Sequence, residues 1–389
     1  MSIPEKFYRN QIDLNKYEND LAARLIDTYN KIMINAAQRL QEIPIGPGLD
    51  KTRAIRLKSI LKQVKTDLDK WKNNSLGIMV KELKDVANIQ KDFIEELLED
   101  IAPPELAGQI NALQLDPDFV DSLIRFDPTK NNQIGLPKGK IFNVFKDTTS
   151  LKAIQTRFAL TASIGKEIVL PNGQVVEKAF RGLTEKTAER FAHTVRQGLA
   201  EGRSLQRIQR ELIGTLDFNS KSKGGIVTSL SNAQTKTLVK TTVHQLNSEI
   251  SRKSYQINPQ IVKRWEYSAI HDQKTSAICR ALDGKRYNVG EGPYPPQHFN
   301  CRSVDIPIPL GPITGKEFVP DGETYGQWFE KKVNELNNKK SGKGTAYGQK
   351  VLGIKGFEIF KGLRKELNSP TEAMRKFIKK VGSRKSLDQ

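Results

Sequence analysis

An apolar residue recurs every three to four positions through much of the first hundred residues, which is the spacing of one face of an α-helix. Three such stripes are present, at 17–40, 60–71 and 83–101. A Gly-Pro-Gly sequence at 46–48 separates the first stripe from the second, and a Pro-Pro pair at 103–104 ends the pattern. We therefore predict that residues 1–102 form an elongated helical arm or bundle, which either binds a partner or is self-contained packing.

Irregular sequence follows the third stripe. Turn-forming residues without a sustained period fill 103–150, which we interpret as a linker or a long loop. At 167–177, two β-prone runs flank an Asn-Gly pair, a pattern that predicts a β-hairpin. Two helices are expected next, one at 184–200 and one that begins at the Ser204 cap and ends at Ile213.

The second half of the chain alternates between helical and extended patterns. The polar segment 219–225 is typical of a flexible surface loop, and an apolar stripe at 238–250 predicts a helix after it. Residues 307–318 are too rich in proline for a helix and indicate extended chain. Helical periodicity returns at 325–336 and 361–380.

Together these patterns predict an α+β fold that is mainly α. An elongated N-terminal helical region is followed by a domain of helices and short strands over 151–362, then by a basic helix and tail over 363–389. With 389 residues, 37% of them apolar, the chain is long enough for two or three units with hydrophobic cores. No apolar run approaches the roughly 18 residues that cross a bilayer, so we expect no membrane segment.

Positive charge is in excess and is concentrated near the C-terminus. The chain has 63 Lys and Arg against 44 Asp and Glu, a net charge of +19, and the region from Lys331 onward has 16 basic and 5 acidic residues. Such a surface attracts polyanions, of which nucleic acid is the commonest, although a solvated lysine-rich surface is the alternative. The candidate DNA-binding residues are Lys339, Lys340, Lys343, Lys376, Lys379, Lys380, Arg384 and Lys385.

Cysteine usage indicates the compartment in which the protein is made. Only two cysteines occur in this long chain, whereas proteins of oxidising compartments are usually richer in disulfides. The first residues lack an apolar core of signal-peptide length. We therefore expect the protein to be made in a cytoplasm and to fold without disulfides.

The segment 265–302 holds most of the residues with distinctive chemistry, including both cysteines and two of the four histidines. Cys279, His298 and Cys301 have the spacing C-x18-H-x2-C, which suits a zinc site with His271 or Asp272 as the fourth ligand. Two buried free thiols that pack as small apolar side chains are the alternative. Prolines at 295 and 296 stiffen the loop that presents His298 and Cys301.

The other residues of this segment favour a structural role over a catalytic one. Asp283 and Gly284 predict a hairpin turn, and we expect Arg302 to pair with Asp272 or Asp283. A Cys-His pair is the core of a thiol nucleophile, but the sequence offers no third orienting residue and no oxyanion site. No acidic metal cluster accompanies His298 either. We therefore expect the protein not to be an enzyme.

The same segment resembles a known family. The pattern D-x-x-T-x-x-x-C-x-x-L-D-G-x-x-Y, followed by P-P-x-H-x-x-C-R, is similar to that of the Mu F-type minor head proteins of tailed bacteriophages, also called phage head morphogenesis proteins. The residues that carry the resemblance are Asp272, Thr275, Cys279, Leu282, Asp283, Gly284, Tyr287, Pro295, Pro296, His298, Cys301 and Arg302. The similarity covers about 184–362. One departure is Lys240-Thr241-Thr242, where the family often has Arg-Thr-Glu.

The resemblance implies a function for the whole chain. A relative of these proteins would be a minor capsid protein inside the phage head near the portal, acting in head assembly and in DNA packaging or ejection. Its expected partners are the portal protein, a capsid or scaffolding protein, and double-stranded DNA bound without sequence preference. The two cysteines would then have a third alternative, a disulfide formed only after release from the virion. The rival function is a zinc-stabilised DNA-processing enzyme, and a host nucleic-acid-binding protein is a further alternative.

Overall fold

The computed structural model describes residues 3–44, 50–106, 108–113, 170–216, 222–310, 323–339 and 342–382. In these ranges the protein is mainly helical with one small antiparallel sheet, which confirms the predicted α+β, mainly α class. Most of the predicted linker at 103–150 lies outside the described residues. So do the Gly-Pro-Gly sequence and residues 167–169 of the expected hairpin at 167–177.

The N-terminal stripes form a long helical hairpin. Helix α1 spans Ile3–Gln38 and a 3-10 turn follows at Arg39–Glu42. Helix α2 spans Lys51–Ile101 and begins at Asp50, whose side chain accepts a hydrogen bond from the backbone N–H of Arg53. The second and third stripes therefore belong to one continuous helix of 51 residues.

Three further helices pack against this hairpin and share its core. They are α3 (Val176–Ala200), α4 (Leu205–Ile213) and α5 (Ile226–Ile257). Trp71 is at the centre of the core, with its ring 5.2 Å from that of Tyr29 on α1 and 5.9 Å from that of Phe180 on α3. Because apolar side chains from α1, α2, α3 and α5 belong to one buried cluster, the hairpin is an integral part of this helical unit.

Two sequence predictions need correction here. The Asn172-Gly173 turn is present, with Gly173 at φ 79°, but helix α3 begins at Val176, so the last two residues of the second β-prone run belong to a helix. The expected helix at 184–200 therefore starts eight residues earlier. The polar segment 219–225 also contributes to regular structure, because β1 (Thr215–Leu216) pairs antiparallel with β2 (Ser222–Lys223). The helix capped by Ser204 is confirmed, and Gly214 ends it.

A three-stranded antiparallel sheet carries the distinctive segment. Its strands are β3 (Val262–Ser268), β4 (Lys285–Asn288) and β5 (Val304–Pro309), in the order β4-β3-β5, and the short helix α6 (Ala277–Leu282) lies between β3 and β4. On β3, Trp265 and Tyr267 are two residues apart and so lie on the same face of the sheet. Both are fully buried against the two cysteines and Tyr294.

The C-terminal region is a separate group of four helices with its own apolar core. The helices are α7 (Tyr325–Lys339), α8 (Lys343–Leu352), α9 (Ile354–Glu366) and α10 (Pro370–Gly382). The expected helix at 325–336 is confirmed. The prediction of one helix at 361–380 is wrong, because a break at 367–369 divides this stretch between α9 and α10. Helix α8 was not predicted. No helix among the described residues is long and apolar enough to cross a membrane.

Candidate functional site

The sheet and its connections bring Cys279, His298 and Cys301 together. Cys279 lies on α6, which begins at Ser276, whose hydroxyl accepts a hydrogen bond from the backbone N–H of Cys279. His298 and Cys301 lie in the loop that leads into β5, where the N–H of Cys301 donates to the carbonyl of His298 at 3.1 Å. We call these three residues the Cys-His centre.

The donor atoms of the Cys-His centre all lie within 4.8 Å of one another. The sulfur of Cys279 is 3.1 Å from His298 Nε2 and 3.7 Å from the sulfur of Cys301. The hydroxyl of Tyr267, which projects from the centre of the sheet, is 3.2 Å from the first sulfur and 3.8 Å from the second. Both cysteines are buried and unpaired, while His298 is partly exposed.

Backbone carbonyls determine which ring nitrogen carries a proton in two histidines, His298 of the centre and His244 next to it. His298 Nδ1 is 2.8 Å from the carbonyl oxygen of Phe299, which can only accept, so Nδ1 carries a proton, and in the neutral imidazole Nε2 presents a lone pair to Cys279. His244 on α5 is arranged in the opposite sense. Its Nε2 donates to the carbonyl of Ser303 at 2.7 Å, and its buried Nδ1 has no hydrogen-bond partner among the described residues.

The two thiols cannot easily ionise together, because their sulfurs are so close. Burial raises the pKa of Cys301, but hydrogen bonds from Cys279 and His298 outweigh burial and bring that pKa well below its usual range. The hydrogen bond to Cys301, followed by burial, raises the pKa of Cys279. The pKa of His298 is raised, chiefly by its interaction with Cys301. The centre therefore favours one thiolate next to an imidazole.

His271 does not join the Cys-His centre. Its Nε2 donates to the carboxylate of Asp283 at 3.2 Å, and its ring packs against Tyr325 and Trp328 of α7. The structure thus corrects the proposed fourth ligand, because the end of β3 directs His271 toward Asp283 and away from the two cysteines. Asp272 is not a ligand in this arrangement either, since it is occupied by Arg302.

Asp272 and Arg302 form a two-pronged ion pair, one of the two pairings predicted from sequence. Both guanidinium nitrogens lie 2.7 Å from the carboxylate oxygens. Partial burial alone raises the pKa of Asp272, but Arg302 outweighs it and lowers the pKa to about 2. The hydroxyl of Thr275 also contacts Asp272, at 3.1 Å. These three residues brace the start of the loop before α6 against the end of the loop that carries Cys301.

Asp283 connects the centre to the C-terminal helices. Its carboxylate accepts hydrogen bonds from the backbone N–H of Ala269, at 2.6 Å, from the backbone N–H of Tyr325, and from His271. Its carbonyl accepts from Arg375 on α10 at 2.9 Å. The predicted turn at Asp283 exists, but it joins α6 to β4 and is not a hairpin between two strands.

The remaining motif residues support the loops around the centre. Gly284 adopts φ 68°, a conformation that favours glycine, and its N–H donates to the carbonyl of Tyr267 at 2.8 Å. Tyr287 on β4 packs against Trp265, and Pro296 is buried after a cis bond to Pro295.

Sequence reasoning missed two supports of the loop. The hydroxyl of Thr241 on α5 accepts from the backbone N–H of Asn300 at 3.1 Å, within the triplet that departs from the family pattern. His244, three residues later on α5, contacts the same loop at Ser303. In the sequence, the only feature that pointed to these two residues was the high proportion of polar residues on a helix that also has an apolar stripe.

The structure places the candidate DNA-binding residues only in part. Lys339, Lys343 and Lys376 are exposed on α7, α8 and α10, and Lys376 lies 3.9 Å from Glu366. Lys379 and Lys380 belong to α10, but their side chains are outside the description, as are Lys340, Arg384 and Lys385 entirely. Four further exposed lysines on α8 and α9 add to this basic surface, namely Lys350, Lys355, Lys361 and Lys365.

Comparison with known families decides what this site belongs to. Residues 189–306 match the family model described as phage Mu protein F like protein, and the match contains the whole Cys-His centre. This segment belongs to that family. The phage Mu protein F like segment runs from the middle of α3 to β5, so the predicted similarity downstream as far as 362 is not covered by the match. No curated protein and no solved structure gave a match.

The family match supports a phage head morphogenesis protein, and a structural role for that family fits the expectation of no enzymatic activity. It also indicates a virion protein.

Replacing Asp283 with Asn tests whether this carboxylate holds the centre and the C-terminal helices together. The amide of Asn offers one acceptor oxygen in place of two, so at least one of the three donors would lose its partner. A buried donor left without a partner costs about 1–3 kcal/mol. We expect the free energy of unfolding to fall by about 2–3 kcal/mol, measured by urea denaturation. Asp92→Asn on the exposed face of α2 is the control, and an equal loss in both variants would contradict this role for Asp283.

Proposed function

We propose that this protein is a minor capsid protein of a tailed bacteriophage that resides inside the head near the portal and acts in head assembly and in DNA packaging or ejection. The observation that carries the proposal is the phage Mu protein F like match over 189–306. In the fold, the matched segment packs against the helical hairpin and is hydrogen-bonded to the basic C-terminal helices.

The Cys-His centre favours a structural role over catalysis. A thiolate next to an imidazole is the beginning of a nucleophilic site, but such a site also needs access for a substrate. Cys279 is 2% exposed and Cys301 is 5% exposed, and the Tyr267 hydroxyl lies against both sulfurs. The described residues around the centre contain no acidic cluster for a metal nuclease. We therefore propose that the protein is not an enzyme.

The composition of purified phage particles tests the location. If the protein is inside the head, mass spectrometry should find it in intact particles, and external protease should leave it undigested. After the heads are opened by osmotic shock, the same protease should degrade it. Absence from purified particles, or digestion in intact ones, would contradict an interior capsid protein.

Portal contact is proposed for the helical hairpin, which exposes three isoleucines. Ile12 on α1 and Ile55 and Ile89 on α2 are 54%, 62% and 61% exposed. Deleting the hairpin would unfold the shared core, so point substitutions are the better probe. We expect Ile12→Glu combined with Ile89→Glu to lower recovery of the phage's portal protein by about tenfold or more in co-purification. Asn73→Glu on the exposed face of α2 is the control, and unchanged recovery in the double variant would exclude this surface.

A further inference from the structure

The geometry of the Cys-His centre resembles that of an occupied metal site. Zinc binds thiolate sulfur at about 2.3 Å in a tetrahedral arrangement, which places two sulfur ligands about 3.8 Å apart. The sulfurs of Cys279 and Cys301 are 3.7 Å apart. In a disulfide they would be about 2.05 Å apart. The separation thus excludes a disulfide and fits two thiolates that share one ion, and it is also the contact distance of two packed thiols.

The imidazole of His298 is oriented in the way that zinc-binding histidines usually are. Such a histidine donates its second ring N–H to a carbonyl or carboxylate, which fixes the tautomer and turns the other nitrogen toward the metal. His298 Nδ1 contacts the carbonyl of Phe299 at 2.8 Å, and Nε2 faces Cys279 at 3.1 Å. A neutral imidazole held in this way can accept the S–H of Cys279 or ligate a metal ion.

Unsatisfied polar atoms are a second, independent observation. His244 is 2% exposed, and its Nδ1 has no hydrogen-bond partner among the described residues. Its ring interacts electrostatically with both Cys301 and His298, so a bare nitrogen is buried beside the centre. A buried polar group without a partner is costly, and a bound ion with its water would supply a partner here.

We propose that the Cys-His centre binds one zinc ion through the sulfurs of Cys279 and Cys301 and through His298 Nε2. Three ligands come from the chain, and no fourth side-chain ligand accompanies them among the described residues. His271 is excluded as a ligand because it is bound to Asp283. The ion would fasten α6 to the loop before β5.

This zinc site would stabilise the family segment directly. Apart from this ion, the segment that carries α6 contacts the loop before β5 through the Asp272–Arg302 pair and through Cys279, which lies against His298 and Cys301. The ion would bind the two deprotonated thiols in the folded chain but not in the unfolded chain. The free energy of binding would therefore add to the free energy of unfolding. The proposal does not depend on the role in the phage head, since it concerns the chain's own residues.

Metal analysis of the full-length protein, purified without chelator, is the direct test. We expect about one zinc per chain by elemental mass spectrometry. Titration of the native protein with a mercurial reagent should modify two thiols and release the zinc in step, detected with a chromogenic chelator. This titration uses the unaltered chain, so it is informative even if the ligand variants fail to fold.

Variants then identify the ligands. Cys301→Ser and His298→Asn should each lower zinc content at least about tenfold. The matched control is His193→Asn, since His193 is exposed on α3, and His271→Asn should also keep its zinc. Reconstitution with cobalt(II) should give a thiolate charge-transfer band that disappears in Cys301→Ser.

Three outcomes would overturn the proposal. The first is metal-free protein in which two thiols react after denaturation. The second is a disulfide between Cys279 and Cys301, seen as the absence of reactive thiol. The third is loss of zinc from His271→Asn but not from His298→Asn. A confirmed zinc site with no protein in phage particles would refute the proposed function alone.

Discussion

Replacing Glu18 with Gln is expected to make the protein more stable at alkaline pH and to change its stability little at acidic pH. Glu18 lies on α1, is 2% exposed, and its Oε1 has no hydrogen-bond partner among the described residues. Burial raises the pKa of this carboxyl to about 8, against a small opposing effect of Lys240 on α5. The carboxyl is therefore protonated in the folded protein over a pH range in which it ionises in the unfolded chain.

The sign of the effect follows from proton binding. Between pH 4.5 and pH 8 the folded state binds more protons at Glu18 than the unfolded state, so its stability falls as pH rises through this window. At about 1.4 kcal/mol per pKa unit, the loss approaches roughly 4–5 kcal/mol above pH 8. Gln is neutral at every pH and avoids this loss.

The measurement compares the free energy of unfolding of the two proteins and follows that difference as pH changes. Urea denaturation, followed by tryptophan fluorescence from pH 5 to pH 9, gives the free energy of unfolding for both proteins. The advantage of Glu18→Gln should grow by roughly 4 kcal/mol across this range. Glu99→Gln, at an exposed position on α2, is the matched control. A constant difference across the range would mean that Glu18 is ionised in the folded protein, paired with Lys240.

The helical hairpin shows how far periodicity predicts structure. The apolar stripes predicted both helices, because a helix that packs on one face needs an apolar residue every three to four positions. The continuity of α2 was missed where Asn73, Asn74, Ser75 and Gly77 lower helix propensity. Leu76 and Met79 in that stretch are buried in the core, so tertiary packing overrides the local preference.

The candidate site was predictable in its members but not in its contacts. Rare residue types identified Cys279, His298 and Cys301, which the fold does bring together. His271 is close to Cys279 in sequence, yet the path of the chain after β3 takes it to Asp283. His244 could not be found from sequence, because its position depends on how α5 packs against a loop more than fifty residues away.

The C-terminal helices illustrate a different limit of prediction from apolar periodicity. The apolar stripe at 361–380 continues across a short break, so periodicity alone could not separate α9 from α10.

The packing of α10 also matters for the design of experiments. Phe377 is 5% exposed and belongs to the core of the four helices, so removing the chain from Lys376 onward would disturb their packing. Charge neutralisation is therefore a cleaner probe of DNA binding than truncation.

The largest expected effect is on DNA affinity. We expect the full-length protein to bind double-stranded DNA of any base composition, because lysines and arginines contact phosphates and do not read bases. With six to ten phosphate contacts, affinity should fall about 10³–10⁵-fold between 50 and 200 mM salt. Fluorescence anisotropy at several salt concentrations would give the slope of log K against log salt.

A variant with the eight candidate basic residues changed to Gln should bind much more weakly and with a shallower slope. Each lost phosphate contact lowers the slope by about 0.9, so even four contacts among the eight would remove roughly 3–4 units. The substituted residues are Lys339, Lys340, Lys343, Lys376, Lys379, Lys380, Arg384 and Lys385. The residues Lys339, Lys343 and Lys376 are exposed, so their substitution should leave the helical core intact.

The helical hairpin supplies a control with the same change in net charge. Eight exposed lysines of α1 and α2 would be changed to Gln, namely Lys16, Lys31, Lys51, Lys58, Lys62, Lys65, Lys70 and Lys81. If the C-terminal region makes the phosphate contacts, this control should keep most of the slope, since distant exposed charges are largely screened at these salt concentrations. Equal losses in the two variants would show that affinity follows the overall charge of +19, and that the C-terminal lysines are only a solvated surface.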